Sequence, residues 1–186
     1  MRIIGGTARG TKLYTLDGEN TRPTLDRVKE PLFNIINFDL EDAVVLDLFA
    51  GSGALGLEAI SRGAKKSVFC EKNFDAAKVI KKNIEKTRFD EKSLLIRNDF
   101  EKALDKITNN NIKFDIVFLD PPYKTDFIFK AIELIIDKDI LNKDGLIVAE
   151  TDELERVQNE ITKLDVNVFD IRRYGRVYLM FIKLDR

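Results

Sequence analysis

The sequence has 186 residues, 44% of them hydrophobic, which suffices for one domain with a full hydrophobic core. It contains no histidine, which excludes Ser/His and Cys/His nucleophilic catalysis and leaves no nitrogen ligand of the usual kind for zinc. The formal net charge of −1 argues against a surface coated in basic residues for nonspecific nucleic-acid binding.

The amino-terminal region and the single cysteine indicate the compartment. Residues 1–6 lack the apolar core of a signal peptide, and no apolar run reaches the roughly 18 residues of a membrane helix. Cys70 cannot form an internal disulfide and lies in the strand-like run 67–71, which favours a buried, inert thiol. We therefore expect a cytoplasmic protein without a membrane or a metal ion among its partners.

Residues 1–29 are locally basic. They contain six basic and three acidic side chains, a balance of +3, and their apolar pieces Ile3-Ile4 and Leu13-Tyr14 flank a glycine-rich stretch. This pattern predicts a small hairpin. Its arginines are either ordinary solvated charges or an arm that grips phosphates. A second basic cluster near the carboxyl terminus consists of Arg172, Arg173 and Arg176.

Residues 24–36 have the periodicity of an amphipathic helix. The apolar side chains on its predicted face are Leu25, Val28, Leu32, Ile35 and Ile36. Pro31 lies inside this stretch, lacks an amide hydrogen and clashes with the preceding turn. We expect either a kink there or a break, with Pro31 opening a second helix.

The chain is organised around the stretch 44–60. Residues 44–48 are mostly aliphatic, as in a strand buried on both faces, and helical spacing begins after Gly56. Between them Gly51, Gly53 and Gly56 match the G-x-G-x-x-G spacing, which allows a tight turn, close approach of a ligand to the backbone and close packing of helix on strand. Packing alone would also explain this pattern.

Strand and helix patterns alternate from residue 44 to residue 162, which predicts a parallel sheet with helices on both faces. The predicted strands are 44–48, 67–71, 94–97, 114–119 and 145–150, and the predicted helices are 54–62, 73–87, 100–107, 126–137 and 152–163. Two β-rich runs, 166–174 and 176–184, meet at Gly175 without a helix between them. They predict an antiparallel hairpin that completes the sheet.

Acidic residues recur at the ends of consecutive predicted strands, where open α/β sheets bind ligands. They are Asp47, Glu71, Asp99 and Asp120. Glu71 follows Gly51 at the separation typical of an acid that binds the two ribose hydroxyls of an adenosine. Asp99 and Phe100 would accept from the adenine amino group and lie against its ring, although Asp99 could equally cap a helix.

The motif 120–123 follows an apolar strand directly. Pro121 and Pro122 restrict the backbone, so the Asp120 carboxylate and the Pro121 carbonyl can face one small volume as two acceptors. Two acceptors suit the hydrogens of an exocyclic amino group and would leave its lone pair aimed at an electrophilic methyl, while Tyr123 stacks on the base. A rigid turn with a core tyrosine is the alternative.

Together these motifs resemble class I amino-methyltransferases that use S-adenosylmethionine. The resemblance rests on Asp47-Leu48-Phe49-Ala50-Gly51-Ser52-Gly53, Glu71, Asp99 and Asp120-Pro121-Pro122-Tyr123. The segments Arg2-Ile3-Ile4-Gly5-Gly6, Arg9-Gly10, Arg22-Pro23-Thr24 and Arg173-Tyr174-Gly175 further resemble the bacterial RsmD family, which methylates guanine N2 in 16S ribosomal RNA. The chain departs from this family at Leu25 and Pro31.

The resemblance implies a Rossmann-like sheet of seven mostly parallel strands, with an RNA-recognition extension at 1–38 and a methyltransferase domain at 39–186. It implies S-adenosylmethionine as cofactor and 16S ribosomal RNA, in an assembling small subunit, as partner. The implied cofactor-binding residues are Asp47, Phe49, Ala50, Gly51, Ser52, Gly53, Glu71, Asp99, Phe100 and Asp120. The implied catalytic residues are Asp120, Pro121, Pro122 and Tyr123, and the implied RNA-binding residues are Arg2, Arg9, Lys12, Arg22 and Arg27.

Three alternatives remain open. A DNA adenine-N6 methyltransferase would share the pocket but usually needs a separate target-recognition region. A protein glutamine-N5 methyltransferase would have no reason for the basic arm. A noncatalytic adenosine-binding protein would need no Asp-Pro-Pro-Tyr motif.

Overall fold

The computed structural model describes residues 1–16 and 23–185, with side chains in the second range from residue 28 onward. The strands are β1 (Val44–Asp47), β2 (Lys66–Cys70), β3 (Ser93–Ile96), β4 (Phe114–Leu119), β5 (Leu141–Thr151), β6 (Val166–Tyr174) and β7 (Val177–Leu184). The helices are α1 (Pro23–Ile35), α2 (Ala54–Ser61), α3 (Phe74–Thr87), α4 (Phe100–Asn109), α5 (Phe127–Asp137) and α6 (Leu154–Ile161). Within the described residues, no helix has both the length and the apolar character that crossing a membrane requires.

The strands form one seven-stranded sheet in the order β3-β2-β1-β4-β5-β7-β6. Strands β1 to β5 pair in parallel, whereas β7 runs antiparallel to both β5 and β6. The predicted parallel sheet with a closing antiparallel hairpin is therefore confirmed. The strand order reverses between β1 and β4, so these two strands flank the point at which open α/β sheets bind ligands.

Helices cover both faces of the sheet, as predicted. One face packs against α4, α5 and α6, whose apolar positions include Leu104, Ile132 and Val157. On the other face, α1 and part of α2 cover the central strands, and the rest of α2 with α3 covers β2. The central strands β1 and β4 are thus largely buried on both sides, which explains why they read as nearly continuous apolar runs, whereas the edge strand β3 is only partly buried.

Helix α1 continues through Pro31 to Ile35. Of the two alternatives expected at Pro31, the break with a second helix beginning there is therefore wrong. Proline costs one backbone hydrogen bond in a helix interior. Buried apolar side chains on the same helix, Val28, Leu32 and Phe33, pack against the sheet and compensate for that loss.

The amino-terminal residues form the predicted hairpin. Arg2 and Lys12 pair as an antiparallel bridge, and Ile3 exchanges backbone hydrogen bonds with Thr11 and Gly10, at 3.0 and 2.9 Å. Leu13 N donates to the carbonyl of Met1 at 3.1 Å. We call residues 1–13 the amino-terminal hairpin.

Glu58 of α2 anchors this hairpin and is completely buried. Its carboxylate accepts hydrogen bonds from the amides of Ile4 at 2.8 Å and Gly5 at 2.7 Å. It also forms ion pairs with Lys29 of α1 at 3.1 Å and with Arg62 at 2.8 Å. One buried carboxylate therefore joins the hairpin, α1 and α2, and the hairpin packs on the same core as the sheet. The division at residue 38 into an extension and a methyltransferase domain stays a prediction.

Candidate cofactor and substrate site

A cavity of about 720 Å³ lies at the carboxyl ends of the parallel strands. Its size is within the range usual for small-molecule and cofactor sites. The lining residues are Met1, Thr15, 47–52, Ala54, Leu55, 70–72, 98–101, 120–122, Phe127 and Glu150. The cavity therefore extends across the point where strand order reverses, from the end of β3 to the end of β5.

The glycine turn between β1 and α2 forms one wall. Gly51 and Gly53 have φ angles of 52° and 79°, the left-handed region that glycine adopts without steric cost. A side-chain carbon at Gly51 would meet no atom within 4 Å, so the backbone there is open to a ligand. A side-chain carbon at Gly56 would come within 2.3 Å of Phe69, so this glycine allows close packing of α2 on β2. Ligand access and packing both explain the motif.

Asp47 ends β1 beneath this turn and is 2% exposed. Its Oδ2 accepts a hydrogen bond from the amide of Gly56 at 3.1 Å. Burial raises the pKa of Asp47 to about 7, with a further contribution from the nearby Glu71 carboxylate, and the Gly56 hydrogen bond opposes the shift. A group with this pKa can be neutral or charged near neutral pH, depending on what occupies the cavity.

Glu71 follows β2 and contacts the glycine turn directly. Its Oε2 accepts from the amide of Gly51 at 2.9 Å, and its Oε1 accepts from the amide of Asn73 at 2.8 Å. These bonds hold the carboxylate in the cavity wall, and a carboxylate offers about four lone-pair sites. Its oxygens can therefore accept two hydroxyl groups in addition to the two amides.

Asp99 lies in the wall and also caps α4. Its Oδ1 accepts from the amide of Lys102 at 2.9 Å, and its Oδ2 lies 3.3 Å from the Lys102 ammonium. The pKa of Asp99 is lowered, first by the backbone hydrogen bond from Lys102 and then by its ammonium. The two roles left open for Asp99 are geometrically compatible.

Three aromatic rings form the apolar part of this wall. The ring centroid of Phe100 lies 5.3 Å from that of Phe49 and 5.1 Å from that of Phe127. Phe49 and Phe127 are stacked at 6.1 Å. The cluster gives a flat base an apolar surface beside the acidic groups at the strand ends.

The turn after β4 brings Asp120, Pro121 and Pro122 into the cavity lining. Of the predicted cofactor-binding and catalytic residues, Gly53 and Tyr123 lie outside that lining. Tyr123 packs against the core under α1, and its hydroxyl donates to Glu150 Oε1 at 3.2 Å. The interpretation of Tyr123 as a stacking surface for the base stays a prediction.

Glu150 is an acidic site residue that the sequence motifs did not predict. It lies near the end of β5, is 8% exposed and lines the cavity on the side of Asp120. The sequence did contain a signal for Glu150, because it is the last residue of the predicted strand 145–150. The other candidate acids likewise lie at or just after the ends of their predicted strands. Met1 and Thr15 were also missed, since only tertiary packing brings the amino-terminal residues to the cavity.

Hydrogen bonds explain how the amino-terminal residues reach the cavity. Asn83 of α3 is buried and donates to the carbonyls of Ser52 at 2.9 Å and Tyr14 at 3.0 Å. The Tyr14 amide donates a hydrogen bond to Asn83 Oδ1 at 2.7 Å, and the Ser52 hydroxyl donates one to Met1 Sδ at 3.5 Å. Met1, at one end of the amino-terminal hairpin, therefore contacts the glycine turn directly, and Tyr14, just after its other end, is linked to that turn through Asn83.

The tip of the hairpin points the other way. The amides of Thr7 and Ala8 donate to Ser61, the last residue of α2, at 2.7 and 2.9 Å. Arg9 follows them directly, and α2 rises about 1.5 Å per residue, so Arg9 lies roughly 10 Å along the helix from the glycine turn. RNA binding by Arg2, Arg9 and Lys12 stays a prediction. Arg22 and the side chain of Arg27 lie outside the described residues.

Cys70 is buried at the end of β2, as predicted. Burial raises the pKa of its thiol above the usual range, and the neighbouring carboxylates of Asp47 and Glu71 add to the shift. The neutral thiol is thus favoured, which matches an inert role. Across the described part of the chain, no three or more acidic or cysteine side chains are grouped to hold a metal ion.

Comparisons with known proteins agree with this geometry. The family model described as conserved hypothetical protein 95 matches residues 1–183. The ribosomal RNA small subunit methyltransferases D of Haemophilus influenzae and Escherichia coli are 41% and 36% identical to this chain, covering 82% and 90% of it and 79% and 80% of their own lengths. The solved structure of Escherichia coli yhhF, named as a candidate methyltransferase, superposes with a TM-score of 0.82 at 31% identity over 100% of this chain and 98% of its own.

A family match over nearly the whole length, relatives above 30% identity and the same Rossmann-like sheet give one assignment. The chain belongs to the conserved hypothetical protein 95 family, which is the RsmD family of methyltransferases that its motifs resemble.

Proposed function

We propose that this protein transfers a methyl group from S-adenosylmethionine to the exocyclic N2 of a guanine in 16S ribosomal RNA. The single observation that carries the proposal is the cavity across the strand-order reversal. Its β1–β3 side carries the glycine turn, Glu71 and Asp99, and its β4–β5 side carries Asp120 and Glu150. One side thus suits a nucleoside cofactor and the other suits an amino group to be methylated.

The cofactor half fits the adenosyl part of S-adenosylmethionine. Glu71 offers carboxylate oxygens for the two ribose hydroxyls, and the open backbone at Gly51 allows close approach. Phe100 offers an apolar surface for the adenine, beside Asp99. When bound, the cofactor supplies a methyl group that is already activated by a positively charged sulfur.

The substrate half holds the guanine amino group. The Asp120 carboxylate and the Pro121 carbonyl would accept its two hydrogens and direct its nitrogen lone pair toward the methyl carbon. The new N–C bond forms as the S–C bond breaks, and the amino group then loses one proton to Asp120 or to water. No covalent enzyme intermediate is needed. Holding nitrogen, carbon and sulfur in line can lower the barrier by several kcal/mol.

A guanine that is paired in an RNA helix could not reach this site. In double-stranded RNA the N2 group is paired or faces the minor groove, so the target base would be extruded from a loop. We propose that the RNA is presented in a partly assembled small subunit. The relatives named for small-subunit RNA favour RNA over DNA or a protein glutamine as substrate.

The test is incubation of the protein with radiolabelled S-adenosylmethionine and unmodified 16S RNA, both naked and in small-subunit particles. Nucleoside analysis of the product should give N2-methylguanosine. Label in N6-methyladenosine, or in protein glutamine, would contradict the proposal. If neither the naked RNA nor the particles become labelled, the proposal is also contradicted.

A further inference from the structure

The second basic cluster lies at the same edge of the sheet as the cavity. Tyr174 and Val177 pair across the β6–β7 turn, which leaves only Gly175 and Arg176 between the two strands. Because β7 runs antiparallel to β5, this turn points in the direction in which β5 ends. The β6–β7 turn therefore projects from the carboxyl edge of the sheet.

The strand register gives the distance from the cavity. Glu150 is paired with Leu179, and Thr151, the last residue of β5, is paired with Tyr178. Adjacent strands lie about 4.8 Å apart, and a strand rises about 3.4 Å per residue. Arg176, three residues before Leu179, thus extends roughly 10 Å beyond Glu150, within reach of an RNA strand that carries a base into the cavity.

Packing of the neighbouring residues fixes the backbone that carries these arginines. Val177 is buried, and Tyr174 packs against the core under α1. Gly175 has a φ angle of 65°, which permits the two-residue turn. The side chains of Arg173 and Arg176 are exposed, as is that of Arg172, although Arg172 pairs with Asp170 at 2.8 Å.

Arg173 is oriented by its neighbours. Its Nε donates to the carbonyl of Gly175 at 3.0 Å, and its guanidinium lies 5.5 Å from the ring centroid of Tyr178. A guanidinium that uses Nε in this way still has its terminal nitrogens for a phosphate. Arg173 at the end of β6 and Arg176 in the turn therefore display two positive charges at the carboxyl edge of the sheet.

The order of groups along the carboxyl edge shows which part of the cavity lies next to Arg173 and Arg176. From one side to the other it runs Asp99, Glu71, Asp47, Asp120 and Glu150, and the β6–β7 turn comes next. The two arginines therefore lie next to the substrate half of the cavity, on the side of Glu150. The tip of the amino-terminal hairpin, in contrast, is tied to the far end of α2.

We propose that Arg173 and Arg176 bind phosphates of the RNA strand beside the extruded guanine. This inference rests on the proposed function. It adds a second RNA contact to the amino-terminal residues predicted from the sequence. Phosphate contacts of this kind orient a nucleic acid without reading its sequence.

The test measures binding of the RNA substrate as a function of salt. It uses whichever form of the RNA, naked or in a particle, the wild-type protein methylates. The variants are Arg173→Gln/Arg176→Gln and Arg176→Gln alone, and the matched control is Lys143→Gln/Lys163→Gln, which removes two exposed charges at the opposite edge. Affinity for S-adenosylmethionine and the thermal unfolding midpoint report on folding.

Two lost phosphate contacts should lower the slope of log affinity against log salt by about 1.4 to 1.8, and the single variant by about half of that. The KM for RNA should rise at least tenfold in the double variant, with cofactor affinity unchanged. Lysine at both positions should restore most of the affinity, since it keeps the charge.

An unchanged salt slope in both variants, with wild-type methylation intact, would overturn this inference and leave the proposed function standing. Equal loss in the control variant would also overturn it. Loss of binding to small-subunit proteins, with affinity for the bare RNA unchanged, would identify an acidic protein surface as the partner and count against the inference. If the wild-type protein methylates neither form of the RNA, the proposed function and this inference fail together.

Discussion

The hydroxyl of Tyr123 donates a hydrogen bond to Glu150 Oε1 at 3.2 Å, which joins the turn after β4 to the end of β5. These two strands are neighbours in the sheet, and Asp120 and Glu150 both line the cavity. The tyrosine of the Asp-Pro-Pro-Tyr motif thus positions the turn and a second carboxylate. We infer that it acts through them as a positioning residue.

The first prediction concerns this hydrogen bond. Tyr123→Phe removes the hydroxyl and keeps the ring, so kcat should fall about tenfold, which corresponds to a typical hydrogen bond of roughly 1.4 kcal/mol. The affinity for S-adenosylmethionine should not change. Steady-state kinetics with RNA and calorimetric cofactor binding check both values. A fall in the unfolding midpoint with unchanged kcat would mean that Tyr123 only packs the core.

The second prediction concerns Glu150. Glu150→Gln keeps an oxygen that accepts from Tyr123 but presents an amide donor, which suits the donor groups of guanine poorly. We expect the KM for RNA to rise about tenfold or more, with cofactor affinity near the wild-type value. Glu150→Asp, which keeps the charge, should recover part of the loss. Equal kinetics for Glu150→Gln and the wild type would remove Glu150 from substrate recognition.

The third prediction concerns Asp120. Asp120→Ala removes the acceptor that orients the amino group, so kcat should fall by a factor of 100 or more, by analogy with the loss of other groups that act in the transition state. Binding of S-adenosylmethionine should change little. Single-turnover methylation measures the chemical step directly. An unchanged rate would show that the Pro121 carbonyl and the cavity shape suffice without Asp120.

The fourth prediction follows from the buried Asp47. Its pKa is raised from 3.8 to about 7, so between these values the folded chain keeps a proton that the unfolded chain has lost. Stability from this group is therefore present at low pH and is lost as pH rises toward 7, by up to about 4 kcal/mol. Asp47→Asn still accepts from Gly56 but does not titrate.

The measurement for Asp47 is urea unfolding of both proteins at pH 5 and pH 8. The wild type should lose stability relative to Asp47→Asn over this interval, because contributions from groups that do not interact with Asp47 cancel in the difference. Parallel changes in the two proteins would show that Asp47 titrates at its ordinary value in the folded state.

The fifth prediction concerns the anchor of the amino-terminal hairpin. Glu58→Ala leaves the buried Lys29 without its carboxylate and the amides of Ile4 and Gly5 without an acceptor. Unfolding free energy should fall by about 3 to 5 kcal/mol, as for other broken buried pairs. Asp105→Asn, which breaks the exposed pair with Lys138, is the matched control and should cost under about 1 kcal/mol. Similar losses in the two variants would contradict the anchoring role.

Local patterns in the sequence were enough for the elements and for most of the site. Strand and helix periodicities extend over only a few residues, and the predicted boundaries of β4 and α3 agree with the structure to within one residue. The glycine spacing and the acids that end strands are equally local. Parallel strands bring such ends to one edge, so Asp47, Glu71 and Asp120 could be placed in one cavity before any coordinates.

Tertiary structure alone decided which distant groups meet. Whether α1 continues past Pro31 depends on contacts with the sheet, which the residues of the helix alone do not specify. The contact of Tyr123 with Glu150 depends on the pairing of β4 with β5, and the position of Arg173 and Arg176 depends on β7 running antiparallel to β5. Likewise, the tip of the amino-terminal hairpin is directed away from the cavity by Ser61. Local spacing encodes backbone conformation, whereas strand register and packing come from contacts between residues far apart in the chain.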